Sequence, residues 1–309
     1  MKKSAKNRII IWSIVSVVLV TVLVWSIFAV SFYQDSVNLQ FFDSKISLSN
    51  FDDFQAGNAD FDAEDVSSIE ANWISGKVEI LYSDTDKITI TDSSTDSDDI
   101  MYWNLDNSGN LEIYANEFEF RLISFGNNDS PKNLTITVPK DKHFSDFDIN
   151  SASADIYADG INANEIDIDT VSGTTEIKEL KCSYANLNNA SGDINILCTQ
   201  VNEFDIDTIS GNVSISGNYD DLYVSSVSGK VTADAENENV QIGVETVSGE
   251  IEVGLNKDFS GFIAEYDKVS GNFESDFVGT SHDDSFVYGN ASASFNFDTV
   301  SGNIRIVKK

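Results

Sequence analysis

Carboxylates are the commonest reactive groups in this sequence, and they recur in register. Asp148, Asp167 and Asp205 hold one place in a repeating phrase, and Asp169, Asp207, Asp267 and Asp298 hold another. Oxygen-rich clusters of this kind suit Ca2+, and carboxylates about 5–9.5 Å apart can work a glycosidic bond. Both readings weaken on closer inspection. The glycine-rich nonapeptide of calcium-binding β-rolls is absent, and Asn186 and Asn188 interrupt the acidic positions. Carboxylate pairs are so numerous that none stands out. Beyond the first eight residues only Arg121 and Arg305 could supply a guanidinium clamp for an anionic glycan. A solvated acidic face is the simpler expectation.

Other nucleophiles are no better supplied. The many serines that precede a glycine are not G-x-S-x-G elbows, and no histidine repeats beside them. His143 and His282 each stand alone. Cys182 and Cys198 specify neither a zinc nor a redox motif, although an exported protein permits a disulfide between them. The sequence therefore nominates no catalytic, metal or cofactor-binding residue and leaves the ligand-binding position unassigned. The expectation is a protein that is not an enzyme and needs no cofactor, with a carbohydrate-active β-helix enzyme as the alternative of another class.

The elements that carry these residues are written as a repeat. FDIDTISGNVSI (204–215) has close variants in EIDIDTVSGTTEI (165–177), NLNNASGDINI (186–196), YVSSVSGKVTA (223–233), VETVSGEIEV (244–253) and FDTVSGNIRI (297–306). Counting from Ala154 of the degenerate copy SASADIYA, the glycines are spaced by 19, 19, 19, 18, 20, 22 and 31 residues. Five places before the glycine stand Ile149, Ile168, Leu187, Ile206, Val224 and Val244. Seven places before it stand Phe147, Ile166, Ala185, Phe204, Leu222 and Ile242. Polar residues separate the two columns, which is the alternation of a half-buried strand. After the glycine, apolar residues fall two and four places on, as in Val213 and Ile215. Two places before it, Val171, Ile209, Val227, Val247, Val269 and Val300 are apolar too. A flat strand cannot swap faces midway, so the chain must turn or bulge around Ser-Gly. Glycine accepts positive φ and close backbone approach there, and the serine can bond local backbone.

One such unit cannot bury its own apolar face, but stacked units can, each covering the next. The expected fold is all-β: a single-stranded parallel β-solenoid with Ser-Gly corners about every 19 residues, its rungs stacking Ile168, Ile206, Val224 and Val244 inside. An antiparallel meander with Ser-Gly hairpin turns is the competing fold.

Residues 9–32, IIIWSIVSVVLVTVLVWSIFAVSF, carry no charge and are long enough to cross a bilayer as a helix. Lys2, Lys3, Lys6 and Arg8 precede them, and no acid occurs before Asp35. The positive-inside rule then places the N-terminus inside. A signal peptide would have a shorter apolar stretch and an A-x-A-like cleavage site. Residues 1–8 are thus expected as a cytoplasmic basic head and 9–32 as an uncleaved N-terminal transmembrane α-helix. Residues 33–65 are read as a juxtamembrane stalk or a cap in which Phe51, Phe54 and Phe61 cover the open end. Residues 66–309 are the expected extracellular solenoid domain. The whole chain has 19 Lys and Arg against 51 Asp and Glu, a net charge of −32, and the body is more acidic still. Such a body repels nucleic acid. It suits cationic peptides or basic envelope and cell-surface ligands.

NLTITVPKD (133–141), the SASADIYA that follows, and the serial VSG-x-(I/V)-x-(I/V) rungs resemble a bacterial candidate-adhesin family of β-strand repeat proteins, a domain of unknown function. The resemblance covers about residues 66–309, by the rung register above. It implies a stacked β fold and a non-catalytic, surface-exposed protein, with a membrane segment in many members and envelope-stress responses in some. It carries no catalytic residues to transfer. The expected protein is a single-pass bacterial cell-membrane protein, adhesin-like or sensing an envelope component.

Overall fold

The structure is a computed structural model and describes residues 54–93, 100–115 and 132–309. The expected membrane segment, 9–32, and the basic head lie outside the described residues. Among the described residues there are 21 β-strands, from Gln55–Ala56 to Ile304–Lys308, and no helix. They hydrogen-bond into one sheet of long, repeated strands, a solenoid-like all-β architecture.

In the middle of the sheet each strand pairs in parallel with the strand one repeat away. Ile194–Ser210 lies between Thr175–Ser191 and Val213–Ser228, with Leu187 beside Ile206 and Ile206 beside Val224. Ile168 lies beside Leu187, and Val224 beside Val244. All five are buried at 1 % exposure or less. Past the corner, Ile194, Val213, Val231 and Ile251 form a second inner column, paired in the same way. Like residues stack on like because the pairing carries each one onto its counterpart. Each fully buried aliphatic side chain stabilises the stack by about 1.5–3 kcal/mol.

The switch between the two inner faces falls at the glycine itself. The inward parity persists to the third residue before it, where Ser151, Thr170, Asn189, Thr208, Ser226, Thr246 and Thr299 are buried. Buried polar groups need partners, and several of these bond the corner from inside. Thr170 Oγ1 donates to the Ser172 carbonyl (2.9 Å), and Asn189 Nδ2 donates to the carbonyls of Gly192 (3.2 Å) and Gly173 (3.3 Å). Gly229 has φ +123°, and a Cβ on it would overlap the Gly211 carbonyl oxygen of the rung beneath. Gly302 needs no left-handed backbone, yet a Cβ there would overlap the Gly249 carbonyl oxygen. Close stacking of one corner on the next is the shared requirement. The corner serines reach across as well: Ser228 Oγ donates to the Ile209 carbonyl (3.3 Å) and Ser270 Oγ to the Val300 carbonyl (3.2 Å). These bonds tie neighbouring rungs, where local backbone bonding was expected.

Two further expectations are corrected. The apolar residues two places before the glycine do not join the core: Val171 is 46 % and Val269 75 % exposed. Nor do the rungs always follow chain order. Phe297 lies beside both Val244 and Tyr266, so the last rung is inserted between the two that precede it in sequence. The same happens at the other end, where Ser68–Ser83 lies between Phe144–Ala158 and the later-than-expected neighbours Asn110–Tyr114 and Lys132–Pro139. Antiparallel strands close both ends. Ser285–Gly289 covers Gly261–Ser270, and Phe262 packs 5.2–5.8 Å from the rings of Phe295, Phe277, Tyr288 and Phe286. At the other end Ala59–Asp62 pairs with Lys87–Asp92, and Phe61 meets Trp103 edge-on at 4.9 Å. Within the segment before residue 66, Gln55–Ala56 and Ala59–Asp62 pair antiparallel with Tyr102–Leu105 and Lys87–Asp92, while residues 33–53, Phe51 among them, lie outside the described residues. Exposed strand edges invite pairing with other chains, which is the physical need these caps meet.

Candidate interaction surface

Outward residues alternate with the inner columns, so each rung presents four of them before its corner. Six places before the glycine, Glu70 pairs with Asp148, Asp148 with Asp167, Asp167 with Asn186 and Asn186 with Asp205. Four places before it, Asp169, Asn188, Asp207, Ser225, Glu245 and Asp298 follow one another across the strands. Neighbouring strands are about 4.8 Å apart, so like charges crowd. Burial, then Asp167 and Glu70, push Asp148 up to about 7. Burial also raises Asp167 and Asp207, opposed at Asp167 by a hydrogen bond from Asn186. The asparagines that interrupt the ladder act as donors within it: Asn186 Nδ2 reaches Asp167 Oδ1 at 2.6 Å and Asn188 Nδ2 reaches Asp169 Oδ1 at 2.8 Å.

Beside these acids runs an apolar line. The residues two places before each glycine, in spatial order, are Ile74, Ala152, Val171, Ala190, Ile209, Val227, Val247, Val300 and Val269. The serines that follow them pair rung to rung from Ser172 to Ser270, and Ser75 pairs with Ser153; between those two runs the strands are in register up to Ser151 beside Thr170, which keeps Ala152 and Val171 on adjacent rungs. The sequence shows this column, but its apolar character there signals core. No Lys or Arg stands at any outward position eight, six, four or two places before a rung's glycine, from Ser68 to Val300. One shallow depression of about 200 Å³ lies beside Gly243, bordered by Glu203, Asp221, Tyr223, Gln241 and Asn296.

The outer face beyond the corner is different. Lys230 Nζ sits 2.9 Å from Glu252 and 3.6 Å from Glu250, Lys77 sits 3.3 Å from Glu79, and Arg305 sits 3.7 Å from Glu274. The Lys230 bond holds Glu252 below the usual carboxylate range.

The remaining candidate chemistry is dispersed. Cys182 and Cys198 are buried free thiols in neighbouring rungs, each pushed up to about 12, by burial first. A thiol so protonated is a poor nucleophile. His143 is exposed and shares its ring nitrogens with Asn162 and Asn164 at 3.2 and 3.1 Å. His282 is exposed on the short strand Thr280–His282. Among the described residues no group of three His, Cys, Asp or Glu side chains is arranged to hold a metal ion.

The Toastrack DUF4097 profile matches residues 66–307. No curated protein matches the sequence. Several solved structures do. A candidate adhesin from Bacteroides fragilis is 13 % identical with a TM-score of 0.50, covering 82 % of this chain and 97 % of that one. A candidate cell adhesion protein from Clostridium sporogenes is 17 % identical with a TM-score of 0.27, over 82 % and 100 %. A candidate lipid binding protein from Parabacteroides distasonis is 15 % identical with a TM-score of 0.42, over 82 % and 97 %. At 13 % identity the first of these likenesses is one of fold.

Proposed function

The chain belongs to the Toastrack DUF4097 family, and on that footing we propose that it is a membrane-anchored, non-catalytic interaction protein displayed on a bacterial surface. Residues 1–8 form its cytoplasmic head, 9–32 its single membrane-spanning helix, and 66–309 a parallel β-solenoid outside the cell that binds cationic envelope or cell-surface ligands. The observation that carries this reading is the outer face before the corners. Its outward positions hold acids, uncharged polar residues and apolar residues but no Lys or Arg from one end to the other. Stacking requires only the inner columns, so nothing in the fold asks for that bias. A one-signed field of this kind attracts opposite charge and repels nucleic acid. The dispersal of histidines, thiols and corner serines favours binding over catalysis, since among the described residues no nucleophile, base and orienting group lie together.

Two measurements test the proposal. Protease added to intact protoplasts should remove the acidic body and leave the anchor; full protection of the body overturns the location. The full-length chain, incubated with cell-wall glycans, should release no reducing sugar or unsaturated product; release overturns the non-catalytic reading in favour of a carbohydrate-active enzyme.

A further inference from the structure

The acidic face has a direction. Its apolar line runs perpendicular to the strands, with acidic columns that hold no Lys or Arg on one side of it and, past the serine corners on the other, acids that stand beside Lys77, Lys230 and Arg305. Rungs about 4.8 Å apart make the nine residues from Ile74 to Val269 a line about 38 Å long. At about 3.3 Å per residue, the two acidic columns lie about 7 and 13 Å to its side. Any occupant must match this spacing, cover the valines and supply positive charge on one flank only.

A second copy of the chain would set acids against acids at short range, which is repulsive. An extended peptide running along the line advances about 3.3 Å per residue, out of step with the rungs. An α-helix fits: its turn is 5.4 Å, close to one rung, and its diameter of about 10–12 Å spans from the valine line to the acidic columns. Apolar residues at i, i+3, i+4 and i+7 form a stripe that the line can cover. Lys and Arg on the adjoining flank keep their stems on apolar surface and carry their charges over the carboxylates. The shallow notch at Gly243 leaves room for one such long side chain among Glu203, Asp221 and Tyr223.

We propose that the outer face before the Ser-Gly corners is a docking surface for a cationic amphipathic α-helix, laid along the stack with its apolar stripe on the line from Ile74 to Val269. This rests on the binding function proposed above and names the partner's chemistry. Burial is the first cause that raises Asp148, Asp167 and Asp207, and neighbouring acids add to it; the cationic flank of such a partner offsets that second contribution.

The test uses the full-length chain in nanodiscs of zwitterionic lipid, with empty discs subtracted. The probes are a Lys/Leu peptide of about 25 residues, long enough as a helix to span the nine rungs, and a scrambled peptide of the same composition that lacks a stripe. The helix should bind about ten-fold more tightly than the scrambled peptide, because only it buries the valine line. The triple change Val171→Ser, Ile209→Ser, Val247→Ser should abolish that preference and leave the scrambled peptide's binding unchanged. If the triple variant unfolds at lower temperature, Val269→Lys, at the most exposed position of the line, carries the same test singly. Equal affinity for the two peptides, lost at about 1 M salt where the Debye length falls to about 3 Å, would overturn the helix site and leave the binding function standing. Binding of neither peptide would overturn both.

Discussion

The two outer faces of this protein share their strands, their corners and the core beneath them, yet they handle charge in opposite ways. Beyond the corner, Lys230, Lys77 and Arg305 each stand beside an acid. Before it, acids stand beside acids or uncharged residues and never beside Lys or Arg, and Asp148 is driven up to about 7 by burial and then by its acidic neighbours. The lesson is that the fold constrains only the inward half of each strand. At 4 Å in water two like charges repel by about 1 kcal/mol, a cost that a well-filled core tolerates rung after rung. A one-signed face kept at that cost is evidence of a task other than stability.

The sharpest way to break this comparison is at the corner where the two faces meet. Gly229→Val forces a β-branched side chain into positive φ and onto the Gly211 carbonyl, so unfolding in urea should show a loss of more than about 4 kcal/mol. Ser228→Ala removes one hydrogen bond to the next rung and should cost about 1 kcal/mol. Equal losses would mean that the corner is not the shared hinge of the two faces.

A smaller change should separate the faces by sign. On the acidic face, Asp148→Asn should stabilise. The folded pKa of Asp148, about 7, lies above the ordinary 3.8. The folded state therefore holds a proton that the unfolded state has released, and ionisation penalises folding. That penalty is absent below about pH 4, grows as pH rises and is complete above about pH 7. The variant should melt a few degrees above the parent at about pH 8, at about 2–4 °C per kcal/mol for a body of this size, with the gap closing towards pH 4. A gap that does not change with pH would show that the folded state does not raise the pKa of Asp148.

The smallest effect, opposite in sign, is expected across the corner. Lys230→Met leaves Glu250 and Glu252 side by side on a half-exposed surface. It should lower stability by no more than about 1 kcal/mol at neutral pH. Thermal melts of both variants in one buffer give the contrast directly, and two shifts of the same sign would erase the distinction between the faces.

Much of this was legible before any coordinates. Period-two alternation marked Ile206 and Val224 as inward, the spacing of the glycines fixed which residues are counterparts, and the recurring acids of EIDIDT and FDIDT marked an outward face. The apolar line was written in the sequence too, at Val171, Ile209 and Val247, but valine in a strand reads as core. Alternation cannot say that parity holds one residue beyond the threonine and turns over only at the glycine. The part played by the corner serines was hidden for a related reason, because their acceptors lie about one repeat away in sequence, as Ile209 does for Ser228.

What the sequence determined by itself is local: which side chains share a face, where a Cβ cannot be tolerated, and the sign of the charge each face presents. These follow from steric and polar preferences within a few residues. What only the tertiary structure decided is adjacency at the ends. The spacings of 22 and 31 residues hint at irregular rungs, but they do not order them. Phe297 takes the place between Val244 and Tyr266 because stacking energy depends on which apolar surfaces meet, and a loop's closure entropy grows only slowly with its length. The chain can skip a rung and return at little extra cost, so a stack that must end under antiparallel caps and aromatic rings chooses its last neighbours by fit.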